Sequence, residues 1–145
     1  MYLSSTGCLR KIKEGICNKN YSVDDQEIKE ACIMCNFNTD KAIQLLIDRE
    51  KNNESILQIL NEKNYSVSKN MIKRVCKRYN YNYDKIKIYL IRFGHTKKRL
   101  KIFLNENNIY LNDNLLENEI NMCSGFYKHT IANIQLKYCN KTSTR

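Results

Sequence analysis

Shifted by 44 positions, the chain lies over itself: residues 19–47 cover residues 63–91 without a gap, and 14 of the 29 positions are identical. Lys-Asn-Tyr-Ser-Val opens both stretches (19–23 and 63–67), and Ile28-Lys29 returns as Ile72-Lys73 and Cys32 as Cys76. Asn36, Asn38, Asp40 and Lys41 return as Asn80, Asn82, Asp84 and Lys85. A fixed period of this size restricts the chain to stacked copies of one small unit, each too short to bury an apolar face alone. A second shift of 44 reaches a degenerate third copy in which the apolar skeleton survives. Ile12, Ile56 and Leu100 align, as do Ile16, Leu60 and Leu104, then Val23, Val67 and Leu111, then Ile28, Ile72 and Leu116, then Leu46, Leu90 and Ile134. The copies fall at 7–49, 51–93 and 95–138, with a polar tail at 139–145.

The chain has no proline and four glycines, so little interrupts helix, and spacings of three and four predict three short helices per copy. In the first copy Leu9, Ile12 and Ile16 space one helix. Ser22-x-x-Asp25 reads as a capping box for the second, with Ile28, Ala31, Cys32 and Cys35 inward. Asn38 caps the third, with Asp40 in its first turn and Ala42, Ile43, Leu46 and Ile47 inward. The second copy repeats this with Ile72, Val75, Cys76 and Tyr79, then Ile86, Tyr89 and Leu90, and Gly94 is expected to stop its last helix. The expected fold is all-α: three tandem three-helix modules packed into one body.

Charge divides the copies that pattern unites. Residues 1–50 hold 7 basic and 8 acidic side chains, residues 51–104 hold 14 and 3, and residues 105–145 hold 4 and 4, so the centre carries the whole excess of the +10 chain. A genome biased toward Lys, Asn, Ile and Tyr would spread lysine evenly. On the second helix of copy two, Lys73, Arg74, Lys77 and Arg78 fall outside the apolar spacing, where copy one has Lys29, Glu30, Ile33 and Met34. Like charges three or four apart cost a few tenths of a kcal/mol per pair, a cost that an anionic backbone offsets. A second cluster, Lys97, Lys98, Arg99 and Lys101 after His95, is expected near a helix N-terminus, where free N–H groups accept phosphate. Tyr79 aligns with Cys35, and Tyr81 with Phe37, so these are expected to pack inward. Tyr83 aligns with Thr39 and is the candidate for stacking on a base.

The run from Glu27 to Ile47, with its apolar helix, short Asn-containing turn, acidic residue and Ala-Ile-x-Leu-Leu-Ile helix (42–47), resembles the second and third helices of ubiquitin-associated (UBA) and CUE-type domains. An aromatic before the acid in the turn, Phe37 and Tyr81 here, makes it most similar to the N-terminal domain of the ribosome-rescue GTPases that partner Pelota. The resemblance covers most of copies one and two and the apolar skeleton of copy three; it implies UBA-like modules that bind ubiquitin, ribosomes or neighbouring domains. The GTPase region has no counterpart, since no Gly-x-x-x-x-Gly-Lys loop occurs. The Met-Gly-Phe-type loop of ubiquitin binders is replaced by Ile16-Cys-Asn-Lys-Asn20 and Leu60-Asn-Glu-Lys-Asn64.

Other chemistries find less footing. Cys32-Ile-Met-Cys35 has the spacing of half a zinc site, completed by Cys8 and Cys17, but the aligned residues Cys76 and Ile120, and Tyr79 and Cys123, make it read as a buried apolar row. His95 and His129 have no carboxylate at helical spacing, and no phosphate loop or nucleophile elbow occurs. The expectation is a non-enzymatic protein without metal or cofactor. No signal peptide or membrane span is read, and seven cysteines suit a reducing, cytoplasmic location. The partner expected is the ribosome or another structured RNA, with ribosomal proteins beside it and a role in translation control or ribosome dormancy. A ubiquitin-binding or other protein-adaptor module is the competing class, and a membrane is not expected.

Overall fold

A computed structural model describes residues 5–139; the chain ends, including the tail at 140–145, lie outside the described residues. Among these the fold is all-helical, with no strand. The helices are α1 (Ser5–Asn18), α2 (Asp25–Met34), α3 (Thr39–Glu62), α4 (Lys69–Arg78), α5 (Tyr83–Glu106), α6 (Asp113–Met122) and α7 (Tyr127–Ile134), followed by a π-helical turn (Gln135–Cys139). Helices α2, α4 and α6 are each ten residues long, and α3 and α5 are each 24. Their bounds recur at the 44-residue period of the sequence.

The connections repeat as closely. Asn20, Asn64 and Asn108 take φ of 64°, 58° and 55°. Just after each, Tyr21, Tyr65 and Ile109 donate backbone N–H to Ile16, Leu60 and Leu104. This is a left-handed asparagine closing a helix by a Schellman-type bond, and it gives the abundant Asn a structural use. The second turn has two left-handed residues in succession: Asn36 and Phe37, Asn80 and Tyr81, Ser124 and Gly125. An aromatic at positive φ is strained, and only the third copy relieves that strain with glycine.

Three sequence expectations change. The cap of α2 is Asp24, whose carboxylate accepts from the Glu27 N–H at 2.8 Å, and not Ser22; the repeat explains it, because Ser68 and Asn112 cap α4 and α6 at the same place. Asn38 does cap α3. Gly94 does not stop a helix. It sits inside α5, buried, where an added Cβ would lie 2.7 Å from the Tyr65 Cβ, so its smallness admits the tyrosine. The third helix of one copy therefore continues unbroken into the first helix of the next, as α3 and α5. The cluster from His95 to Lys101 consequently lies in mid-helix, away from any free N–H groups. Tyr79 and Tyr81 pack against the core, whereas Phe37, which aligns with Tyr81, is 42 % exposed.

Two compact units result, residues 1–55 and 56–145, with the division inside α3. The first has its own core: Cys8, Ile12 and Ile16 of α1, Ile28, Ala31 and Cys32 of α2, and Ala42, Leu46 and Ile47 of α3. The second and third copies share one core, so the body has two cores rather than one. Aligned positions are buried alike: Ile12, Ile56 and Leu100; Ile28, Ile72 and Leu116; Cys32, Cys76 and Ile120; Leu46, Leu90 and Ile134. Each large aliphatic buried there contributes roughly 1.5–3 kcal/mol, and this row is what kept the skeleton while surfaces diverged.

Candidate nucleic-acid interface

Helix α4 buries Met71, Ile72, Val75 and Cys76, which leaves Arg74, Lys77 and Arg78 exposed and Lys73 half-buried. The arginines are not loose. Arg74 Nη1 donates to Asn118 Oδ1 at 3.1 Å and Arg78 Nη2 to Asn121 Oδ1 at 2.7 Å, both across to α6. An amide oxygen orients a guanidinium without cancelling its charge, so the remaining N–H groups of each fork stay directed and cationic. Asn118 stands where copy one has Glu30 and copy two Arg74, and Asn121 where they have Ile33 and Lys77.

An arginine–aromatic row continues from Arg78. Its guanidinium lies 5.5 Å from the Tyr89 ring centroid, and Arg92 lies 5.4 Å from the same ring. Arg92 also sits 4.3 Å from the Phe126 centroid and donates Nε–H to the Ser124 carbonyl at 3.3 Å. The adjacent Tyr127 carries Arg99 at 3.8 Å. Tyr89 is buried, and its hydroxyl donates to Asn121 Oδ1 at 2.8 Å. Burial pushes that hydroxyl above its ordinary pKa although Arg78 opposes it. Stacking on a ring fixes an arginine while preserving its charge.

The second predicted cluster does not hold together. Lys97 is 2 % exposed, with its ammonium 3.0 Å from Glu117 Oε2 and 3.1 Å from Asp113 Oδ2, so it cannot meet a polyanion. Lys101 also pairs with Asp113, at 3.3 Å. Burial alone would raise the Asp113 carboxyl, but Lys97 and Lys101 together hold it below the ordinary value. Lys98 and Arg99 remain exposed, Lys98 over Tyr65 at 5.9 Å. Tyr83 packs against the core and is not a free stacking platform. The placement of Lys97 is readable in hindsight, because Phe93, Lys97, Leu100 and Leu104 follow one helical stripe. Arg92 was missed. Its signal is the aligned Asp48 of copy one, an acid-to-arginine exchange at a fixed register.

The cysteines do not converge as a metal set. Cys8 and Cys32 thiols meet at 2.6 Å in the first core, Cys17 is exposed, and no group of three ligand-type side chains gathers among the described residues. No helix of the described residues is long and apolar enough to cross a membrane. No family model, curated protein or solved structure matches the chain.

Proposed function

We propose that this chain is a non-enzymatic RNA-binding factor that docks through α4 and the arginine row beside it, with the ribosome as its first candidate partner. The observation that carries the reading is the pair Arg74–Asn118 and Arg78–Asn121: cations held in place by neutral groups, with both arginines in the central stretch that carries the excess charge. Cations fixed this way lose little freedom on meeting phosphate. The three copies are read as UBA-like modules, supported by the helix–turn pattern and by the resemblance at Glu27–Ile47, which also favours the ribosome over other RNAs. Stoichiometric binding of this kind suits a factor acting on translation or ribosome dormancy in the cytoplasm.

The test is co-sedimentation with ribosomes over a salt series. Affinity should fall with salt, log K against log salt steepening by roughly 0.7–0.9 for each phosphate neutralised. The fourfold variant K73E/R74E/K77E/R78E should keep its helical content, lose ribosome binding and flatten the salt dependence, while K29E/K41E should change little. A folded fourfold variant that binds as before, with the same salt slope, would show that the basic face is only a solvated surface.

One observation favours a second reading for the first unit alone. Ile33, Met34 and Phe37 are 64, 61 and 42 % exposed at the end of α2, an apolar corner that fits a protein adaptor. Titration with monoubiquitin should leave the amide shifts of Leu45, Leu46 and residues 16–20 in place; tight shifts there would promote the adaptor reading.

A further inference from the structure

Beside the arginine row lies an open concavity of about 540 Å³, within the usual range for a small-ligand site. Phe126 and His129 line it with their rings 6.2 Å apart and nearly perpendicular. Met122 and Ala132 supply apolar wall, and Ser124 and Asn133 supply hydrogen-bonding groups. Asn133 directs its amide N–H toward the Cys123 sulfur at 3.6 Å, which fixes the side chain with its carbonyl oxygen as the remaining acceptor. Phe126 is 47 % exposed although Arg92 lies over it, and Arg78 reaches the same corner through Asn121, one residue before Met122.

We infer that this concavity takes one unpaired base of the RNA, stacked on Phe126 with the His129 ring standing at its edge, and with its flanking phosphates on Arg78 and Arg92. The inference rests on the RNA-binding reading and narrows its ligand from any polyanion to one offering an unstacked base. A nucleobase fits this lining for three reasons. Its flat face matches an exposed ring already polarised by a cation on one side. Its polar edge matches a hydroxyl and an amide. Its phosphates need cations a few ångströms away, which the arginine row supplies and an apolar peptide would not use. A duplex has no base to offer and would touch the arginines alone.

The experiment compares a short single-stranded RNA with a blunt RNA duplex of the same length, using the full chain and fluorescence anisotropy at one salt concentration. F126A should weaken the single strand by about 5- to 150-fold, the range for loss of one base–aromatic stack, and leave the duplex unchanged. F126W should restore single-strand binding. The chain has no other tryptophan, so its emission should be quenched by the single strand and not by the duplex. Circular dichroism melts of both variants report folding. Equal weakening of both RNAs by F126A would mean that the ring only holds Arg92, and the inference fails. Unchanged single-strand binding, or F126W emission indifferent to RNA, also overturns it. If these fail while K73E/R74E/K77E/R78E loses both RNAs, the pocket is wrong and the RNA reading stands. If the fourfold variant keeps both, the reading and the pocket fall together.

Discussion

Tyr21 and Tyr65 hold the same place in the repeat, each donating its N–H back to the end of the preceding helix, yet they meet opposite surroundings. Tyr21 lies by Glu50 and Glu54, and burial together with these carboxylates raises its hydroxyl pKa. Tyr65 lies against Gly94 and under Lys98, the residues that align with those two glutamates. The same exchange runs through α2 and α4, where Glu30, Ile33 and Met34 face Arg74, Lys77 and Arg78 at matching positions. Buried rows are alike, while several exposed positions change from acidic or neutral to basic. The backbone and core thus tolerate either charge sign, and the cationic surface of copy two is not a by-product of building the module.

The largest difference between the copies is internal. Copy two has Asn53 and Lys73 where copy three has Lys97 and Glu117. Glu117 is 3 % exposed and takes the Lys97 ammonium while its oxygens accept from the Ser68 N–H and hydroxyl, so one carboxylate ties α4, α5 and α6. Removing one partner strands a buried charge, so K97M should destabilise the second unit by about 3–5 kcal/mol. N53M should cost far less. Urea unfolding followed by circular dichroism measures both, and equal costs would break the contrast.

How much of this the sequence could show depends on whether a feature is local. The buried rows follow from apolar spacing, and Cys32 and Cys76 are buried alike as alignment predicts. The continuation of α5 through Gly94 did not follow, because glycine marks either a helix end or a close approach, and only the position of Tyr65 decides between them. The pairing of Arg74 with Asn118 depends on α4 lying beside α6, a fact of packing between copies that no period reports. Of the candidate site, the α4 cations were legible, whereas Lys97 and Tyr83 were charge and ring assigned without their depth.

Gly94 gives the next effect. An added methyl meets Tyr65 at its Cβ, which cannot swing away, so overpacking of about 1–3 kcal/mol should outweigh the ~1 kcal/mol of helix propensity that alanine gains. E50A, at the aligned position, should stay within about 0.5 kcal/mol. Thermal melts of the two variants compare the copies directly, and a neutral G94A would show that Tyr65 does not press on the helix.

The caps separate the copies more finely. D24A and N112A each remove a single side-chain cap and should cost about 1 kcal/mol. S68A removes a cap and also a partner of buried Glu117, so about 2 kcal/mol is expected. Hydrogen exchange at the first turn of α4 and α6 would locate the loss, and equal values for all three would remove Glu117 from the account.

The smallest effect tests the first core by pH. Burial, and then the neighbouring Cys8, push the Cys32 thiol up to about 12 from an ordinary value near 9. The folded state therefore holds this proton after the unfolded chain has released it. Stability owed to the neutral thiol is intact below pH 9 and declines as pH rises from there toward 12. Between pH 9 and 10 the decline should be about 1 kcal/mol. Lysines and tyrosines titrate over the same interval, so the quantity to measure is the difference in slope between the wild-type chain and C32A. C32A should be less stable at pH 8, because it leaves a small cavity beside Cys8, and its deficit should shrink as pH rises. A deficit constant across that interval would mean that Cys32 ionises as easily folded as unfolded, and the first core would then be more open than the second.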